Sequence, residues 1–330
     1  MTEPTGMTTS RAPIHPASME NAAMSTAARG TTSTAEQATA PARPAVGARP
    51  SAGARPASGA REAGGRALRM FLPLALYTVF TAVPFYWMLL FALRPAGSTS
   101  LLPWPITTEH FRTVWETMGF AVYFRNSILV AVVTLVIVTV FALMGGYALA
   151  RFRFRGRKPF MLALLCTQFV PGAMMLIPLF NIFKMLNLID SQWSLIIAES
   201  AFQLPLAIIL MSGFVRNVPV EIEESAMVDG CGRIRAFLAV VLPLLRPGVV
   251  AVGSFAFIGS WNNFLFALMF LNDPAKQTIP VGLATTMGEN TVDFGALAAG
   301  GVVAALPVVL VFAVIQRFLV QGMSAGAVKG

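Results

Sequence analysis

One segment of a largely apolar chain concentrates charged residues and glycines. Residues 221–248 read EIEESAMVDGCGRIRAFLAVVLPLLRPG, with four acids and two arginines among the first fifteen residues. A charged side chain at the centre of a bilayer costs about 2.5–3.5 kcal/mol, so we expect this segment to lie outside any membrane. Its charges and small residues suit a protein-docking surface, and an unpartnered solvated loop is the alternative.

Local signals in this segment predict two short helices separated by a break. Pro219 suits the first turn of a helix, and the acids that follow it complement the positive end of the helix dipole. This helix is expected to end near Asp229, because Gly230-Cys231-Gly232 interrupts it. A second, amphipathic helix is predicted over 233–242, ended by the prolines that follow. The small residues that allow close approach of a partner are Ser225, Ala226 and Gly230.

The sequence offers no set of residues for catalysis or metal binding that we recognise. It contains neither a GxxxxGK[ST] phosphate-binding loop nor an HExxH motif. Cys166, Cys231, His15 and His110 lack the spacing of metal ligands or of a disulfide framework. We therefore expect no metal site, no cofactor bound by this chain and no enzyme activity of its own.

The composition excludes an ordinary soluble domain. Hydrophobic residues make up 56% of the 330 residues and charged residues 12%, about half of the roughly 25% that is typical of soluble domains. Six runs of 23 to 26 residues contain no charge except Glu199, and about 20 residues suffice to cross the hydrocarbon as a helix. They lie between the charged residues at 69 and 94, 125 and 151, 158 and 184, 190 and 216, 246 and 273, and 293 and 317. The sequence therefore predicts an all-α polytopic membrane protein with six transmembrane helices.

The positions of Lys and Arg orient these predicted spans. If the N-terminus is inside, basic residues at the inner flanks outnumber those at the outer flanks by about three to one. We therefore expect both termini and the charged segment to be cytoplasmic. The net charge of +9 then reflects orientation in a membrane rather than binding to nucleic acid.

The first 66 residues differ in composition from the rest of the chain. They are rich in Ala, Thr, Ser, Pro, Gly and Arg and poor in large apolar residues, so they cannot bury enough apolar surface to offset their ordering entropy. We predict a disordered cytoplasmic tail over 1–66, followed by a membrane domain over 67–330. Contact of its arginines with anionic lipid is one role for the tail, and an extension without function is the alternative.

Polar residues inside the predicted spans are candidates for a solute pathway. They are Gln168, Gln203, Trp261, Asn262 and Asn263. The amides offer hydrogen-bond donors and acceptors to a neutral polyol, and the tryptophan offers an aromatic platform. Glu199 is expected near the outer surface, where it need not be buried. Hydrogen bonds between helices, worth about 0.6 kcal/mol each, are the alternative role for these side chains.

The charged segment resembles the EAA loop of ABC-importer permeases. The family pattern reads here as Glu224-Ser225-Ala226, three further residues, Gly230, and later Val240-Val241-Leu242-Pro243. Ser225 replaces the middle alanine of the pattern, and Val240 replaces the usual isoleucine.

The resemblance extends over most of residues 70–330. The segments NSILVAVVTLVIVTVFALMGGYALARFRFRGRK at 126–158, QFVPGAMMLIPLF at 168–180, SWNNFLFALMFL at 260–271 and QRFLVQGMSAGAVKG at 316–330 carry it. They are similar to the carbohydrate-uptake (maltose-type) branch of the family, and within it to the second permease subunit. Asn263 stands where that branch often has an acid, which puts a carried-over role for this position in doubt.

The resemblance implies a type I ABC importer permease fold and sugar import into the cytoplasm. It implies that residues 218–247 form a coupling loop that docks on an ATPase subunit, and that the C-terminal tail makes a second contact there. The coupling residues are Glu221, Glu224, Ser225, Ala226, Asp229, Gly230, Phe237, Leu242 and Pro243, and the tail residues are Gln321 and Gly322.

The partners are also implied by the resemblance. They are a second permease subunit in a heterodimer, two ABC ATPase subunits that hold ATP and Mg²⁺, and an extracytoplasmic solute-binding protein, assembled in the cell membrane. Three alternatives remain open: an ABC permease for another solute, an ion-coupled secondary transporter and a membrane scaffold without transport. The scarcity of carboxylates in the predicted spans disfavours ion coupling.

Overall fold

A computed structural model describes residues 58–285 and 293–326. Every regular element in these ranges is helical, which confirms the predicted all-α class. The α-helices are α1 Ser58–Leu93, α2 Glu109–Arg112, α3 Phe120–Arg151, α4 Arg157–Thr167, α5 Leu176–Met185, α6 Gln192–Arg216, α7 Val220–Val228, α8 Arg233–Ala236, α9 Leu242–Leu244, α10 Arg246–Trp261, α11 Leu265–Phe270, α12 Ile279–Thr285 and α13 Phe294–Gly326. A π-helical turn, Phe237–Val241, joins α8 to α9.

Four described helices are long and apolar enough to cross a membrane. They are Phe71–Leu93 within α1, Phe120–Arg151, Gln192–Arg216 and Phe294–Phe318 within α13. Two further helix pairs meet the same criterion together but are bent, by 87° between Arg157–Thr167 and Gly172–Met185 and by 75° between Arg233–Leu244 and Arg246–Trp261. The described residues therefore contain four to six candidate spans.

Two predicted spans that were expected to be continuous are interrupted, one of them at the 87° bend. The run between 158 and 184 is interrupted before Gly172, where Pro171 cannot donate a backbone hydrogen bond and has an extended backbone. The run between 246 and 273 stops being helical after Trp261 and resumes at Leu265. Both interruptions place irregular backbone inside an apolar stretch, which requires protein or water contacts for its polar groups.

Three helices form the centre of the bundle, because α3, α6 and α10 pack against one another. Their shared core includes the fully buried side chains of Val138, Ala142, Ala207, Met211, Val252 and Ala256. A Cβ atom at Gly146 would lie 2.8 Å from Met211 Cβ and 2.9 Å from the Ser212 nitrogen. The close approach of α3 to α6 therefore requires glycine at this position.

A carboxylate fastens the loop before α6 to the loop after α11. Asp190 Oδ1 accepts hydrogen bonds from the backbone nitrogens of Asn272 at 2.5 Å and Asp273 at 2.9 Å. The Asp190 nitrogen donates to the Phe270 carbonyl at 2.9 Å. The hydrogen bond from Asp273 is the main reason that the pKa of Asp190 lies below its usual value. These contacts fix the start of α6 against the end of α11.

The predicted tail falls mostly outside the described residues, since α1 begins at Ser58 and residues 1–57 are not described. From residue 63 onward the chain belongs to one compact unit. Gln321 and Gly322 lie in the last turns of α13, and their side chains are not among those described.

Candidate functional site

The charged segment folds as a helix, a glycine turn and a second helix, as the local sequence predicts. Pro219 caps α7, one residue before its first turn, and Glu221 and Glu223 occupy that turn. Gly230 adopts a positive φ of 88°, which a side-chain-bearing residue rarely adopts, so the reversal after α7 depends on glycine. The second helix differs from the prediction, because it continues past Pro243 to Leu244 through the π-helical turn.

A buried ion pair attaches α7 to the end of α3. Arg151 Nε lies 3.2 Å from Glu223 Oε2, and the two side chains are only 8% and 6% exposed. The Tyr147 hydroxyl donates to the other oxygen, Glu223 Oε1. Arg151 also donates from Nη2 to the Val218 carbonyl at 2.8 Å. We call Tyr147, Arg151 and Glu223 the anchor, because they hold the segment on the helical bundle.

Aromatic packing extends the anchor to the second helix. The Tyr147 ring meets the Phe237 ring edge-on at 4.7 Å between centroids and the Phe152 ring at 6.0 Å. The Arg233 guanidinium lies 5.5 Å from the centre of the Phe152 ring. The end of α3, α7 and the helix after Gly232 are therefore joined through one set of side chains.

The anchor was missed by reasoning from sequence. Glu223 was grouped with the acids that complement the helix dipole, and Arg151 with the basic residues that flank a span. The spacing of residues in α7 could have predicted the anchor. Glu223 is three and four residues before the partly buried Ala226 and Met227, so the three side chains share one face of the helix. An acid on the inward face of an amphipathic helix requires a partner.

The opposite face of α7 is open. The structure leaves Glu221, Glu224, Ser225, Asp229 and Gly230 exposed, with Ala226 partly buried. In the helix that follows, Phe237 and Leu242 are partly buried and Pro243 is exposed. Val228 is 87% exposed and Ile234 77% exposed, so the charged segment also presents two apolar side chains. The Ser225 hydroxyl donates to the Glu221 carbonyl within the helix at 2.7 Å, so its position is compatible with a small-residue docking face.

Among the described residues, no hydrogen bond joins any two of the candidate pathway residues. Gln168 is exposed, Gln203 is partly buried, and the Asn262 amide donates to the Ile258 carbonyl at 2.9 Å. Asn263 Oδ1 accepts from the Phe266 nitrogen at 3.1 Å and so starts α11. Trp261 is 3% exposed, donates to the Ala304 carbonyl of α13 at 3.0 Å and stacks on Phe257.

Glu199 is buried, which contradicts the expectation that it need not be. Its side chain is 1% exposed, and the Ser260 hydroxyl donates to its Oε2. The reason is that α6 packs along α3 and α10, and Glu199 is on the face of α6 that this packing covers. One expectation about the spans is therefore wrong, because a carboxyl group lies in the protein interior.

Comparison with known proteins relates the fold and the charged segment to a transport family. Residues 141–325 match the family model described as "Binding-protein-dependent transport system inner membrane component". The diacetylchitobiose uptake system permease protein DasC of Streptomyces coelicolor is 39% identical over 255 residues, which cover 75% of this chain and 91% of that protein. The trehalose transport system permease protein SugB of Mycobacterium tuberculosis is 33% identical over 256 residues, covering 76% and 93%.

A solved structure shares the fold. A chain of a bacterial ABC transporter involved in the import of alginate superposes with a TM-score of 0.65 at 24% identity, covering 76% of this chain and 97% of that one. The family match begins near the end of α3 and runs through α6 and α10 into α13, so it includes the whole charged segment. This chain therefore belongs to the family of inner membrane components of binding-protein-dependent transport systems.

Proposed function

We propose that this chain is a permease subunit of an ATP-driven importer that moves a sugar into the cytoplasm. The observation that carries the proposal is the geometry of α7, a short helix that is anchored to a membrane-length helix on one face and open on the other. Such a helix suits the transfer of force between a docked subunit and the bundle. The named uptake of diacetylchitobiose and of trehalose by the two relatives supports a sugar as the solute.

The proposed arrangement has six spans: the four long helices, the bent pair over 157–185, and α10 followed by α11, while 233–244 stays outside the membrane with the rest of the charged segment. Both termini lie in the cytoplasm, so the open face of α7 does too. The excess of basic residues at the inner flanks supports this orientation. The basic stretch after α3, which contains Arg153, Arg155, Arg157 and Lys158, then faces the cytoplasm beside the charged segment.

The proposed partners follow from the family and from the open surfaces. A second permease subunit pairs with this one, and two ATPase subunits hold ATP and Mg²⁺ and dock on residues 218–247 and on the tail near Gln321 and Gly322. A solute-binding protein delivers the sugar from outside. A solved alginate transporter in complex with its periplasmic protein, which shares this fold at a TM-score of 0.57, supports such an assembly.

The proposed mechanism uses the anchor as a mechanical joint. Closure of the ATPase subunits on ATP would move α7, and the ion pair between Glu223 and Arg151 would transmit the movement to α3. Because α3, α6 and α10 share one core, they would shift together and alternate the access of a midplane pathway. Gln203, Asn262 and Asn263 are the candidate contacts with the sugar along it.

Reconstitution tests this function. The chain is placed in vesicles with its partner subunits, and uptake of radiolabelled mono- and oligosaccharides is measured with and without ATP. We expect uptake that requires ATP and the binding protein. Uptake of only a non-sugar solute would correct the substrate. Uptake by this chain alone on an ion gradient would show a secondary transporter, and no flux under any condition would favour a scaffold.

A single variant isolates the docking face. Val228→Asp places a charge on a side chain that is 87% exposed, so the fold is expected to survive while the ATPase subunits no longer co-purify. The matched control is Ile106→Asp, which changes an exposed apolar residue in the segment between α1 and α2 and should retain the ATPase subunits. If both variants retain the ATPase subunits equally well, α7 is not part of the docking surface.

A further inference from the structure

Glu199 lies in a buried cluster of polar side chains that the proposed coupling mechanism does not use. The cluster consists of Thr134 from α3, Glu199 and Ser200 from α6, and Ser260 from α10, and each of these residues is at most 6% exposed. One turn further along α6, the side-chain amide oxygen of Gln203, Oε1, is also buried without a partner among the described residues. Three helices therefore place oxygen atoms around one carboxyl group.

The hydrogen bonds of this cluster leave part of the carboxyl group unsatisfied. Ser260 donates to Glu199 Oε2, whereas Glu199 Oε1 is buried with no protein partner among the described residues. Ser200 Oγ likewise has none, and the Thr134 hydroxyl faces the carboxyl group from α3 without a well-formed hydrogen bond. A buried carboxylate normally accepts several hydrogen bonds, so this environment is poorly suited to a negative charge.

No cation in the described part of the chain pairs with this carboxyl group. None of the ion pairs found among the described residues involves Glu199. The charged residues of the helices that enclose it are at or near their ends: Arg125 and Arg151 on α3, Arg216 on α6 and Arg246 on α10. At a rise of about 1.5 Å per residue, the nearest of these along a helix, Arg125, is roughly 14 Å from Thr134. Two further helices, α4 and α11, pack on α6. α11 has no charged residue, and the charged residues of α4, Arg157 and Lys158, lie in its first turn, at the opposite end of that helix from Gln168.

We propose that Glu199 is a proton-binding site inside the bundle and carries a proton when α3, α6 and α10 are packed as they are here. An isolated carboxylate in a low-dielectric interior is costly, and taking up a proton removes that cost. The protonated carboxyl both donates and accepts a hydrogen bond, which matches a surrounding made of hydroxyl and amide oxygens. This inference concerns the chain itself and holds whichever solute is transported.

The site links protons to the packing of the three helices. A rearrangement that admits water between α6 and α10 would solvate the carboxylate and release the proton. The packed arrangement is therefore favoured at low pH, and it loses stability as the pH rises above the ordinary glutamate pKa of about 4.3 until Glu199 releases its proton in the packed state as well. Movement of these helices during a transport cycle would then bind and release one proton without any ion gradient driving it.

Infrared difference spectroscopy tests the site directly. The full chain is purified with its partner subunits in lipid nanodiscs, and the spectrum of Glu199→Gln is subtracted from that of the wild type at neutral pH. We expect a carboxylic acid C=O stretching band that the variant loses. The control is Glu109→Gln, which removes an exposed acid and should yield carboxylate bands only. Carboxylate bands from Glu199 at neutral pH would overturn the proposal.

A second variant keeps the test decisive if Glu199→Gln fails to fold. Ser260→Ala removes the hydroxyl that donates to Glu199 and should shift the carboxylic acid band to higher frequency without abolishing it. Where Glu199→Gln does fold, the thermal unfolding midpoint gives an independent readout, since the midpoint of the wild type should fall between neutral and alkaline pH by more than that of the variant. An unshifted band, or equal alkaline losses in both proteins, would contradict the proton-binding site.

Discussion

Two glutamates of this chain are buried to nearly the same extent in opposite chemical surroundings. Glu223 is 5% exposed and Glu199 is 1% exposed. Glu223 has a guanidinium and a phenol hydroxyl as partners, from Arg151 and Tyr147. Glu199 accepts a hydrogen bond from the Ser260 hydroxyl and forms none of the ion pairs found among the described residues. Burial alone therefore does not define the role of an acid in this bundle.

The difference lies in what each acid joins. Glu223 connects a short helix outside the candidate spans to the end of α3, where a strong directional contact can carry force. Glu199 sits between three helices that pack over much of their length, where a neutral group disturbs apolar packing least. The first is a structural contact that depends on charge, and the second is a site at which charge is excluded.

The contrast between the two glutamates is tested most strongly by neutralising each of them without changing its shape. Glu223→Gln leaves Arg151 buried without a counter-charge, and breaking a buried pair in this way costs about 3–5 kcal/mol. Glu199→Gln keeps a neutral group of the same size, so its cost should stay below about 1.5 kcal/mol. Unfolding of the purified proteins in detergent measures both.

A control separates charge from position. Glu221→Gln changes an exposed acid on the same helix as Glu223 and should alter stability by less than about 0.5 kcal/mol. Similar losses for Glu223→Gln and Glu199→Gln would show that the two buried acids are equivalent after all.

The next contrast removes, for each acid, the hydroxyl group of the neighbouring residue that donates a hydrogen bond to it. Tyr147→Phe deletes a donor to a charged partner, and hydrogen bonds to charged groups contribute about 1.5–3 kcal/mol. Ser260→Ala deletes the donor to Glu199, and hydrogen bonds between helices in membranes average about 0.6 kcal/mol. Tyr147→Phe should therefore lower the free energy of unfolding by more than Ser260→Ala. The reverse order would show that Glu199 is the acid that carries the stronger negative charge.

The fold could be predicted from sequence where long-range packing is not needed. Uncharged runs of membrane-spanning length identify the helices, and the glycines after Asp229 identify the turn between α7 and α8. Prolines within the apolar runs do not by themselves show where a helix breaks. Pro73, Pro84, Pro205 and Pro307 lie inside continuous helices, whereas Pro171 lies at a break, because neighbouring helices decide whether a freed carbonyl finds a partner.

The site could be predicted only in part, and the reason is distance along the chain. The small and charged residues of α7 are local, so their pattern identifies a docking helix. The anchor joins residues 72 positions apart, and the contact between Glu199 and Ser260 joins residues 61 apart. Neither pairing leaves a periodic signal, so the surroundings of both acids required the structure.

A smaller effect concerns the contact between α3, to which Glu223 is attached, and α6, which carries Glu199. Gly146→Ala puts a methyl group within 3 Å of Met211 and of the α6 backbone, and such overpacking costs about 1–3 kcal/mol. Gly213→Ala, on α6 where nothing lies within 4 Å of the added atom, should instead stabilise the helix by up to about 1 kcal/mol. Equal effects in an unfolding assay would mean that α3 and α6 do not approach closely at this point.

The smallest effect extends the comparison to a third acid, which has backbone donors in place of a cation or a hydroxyl. Asp190→Asn removes the charge that the Asn272 and Asp273 nitrogens stabilise, at a cost of about 1 kcal/mol. Because the pKa of Asp190 is lowered in the folded state, this stabilisation is fully present above the ordinary aspartate pKa of about 3.9 and is lost as the pH falls through the lower value. The stability difference between wild type and variant should therefore be constant near neutral pH and shrink in acid. An acid-independent difference would show that the hydrogen bonds at Asp190 act without its charge, which would leave the anchor as the one described contact in this comparison that depends on ionisation.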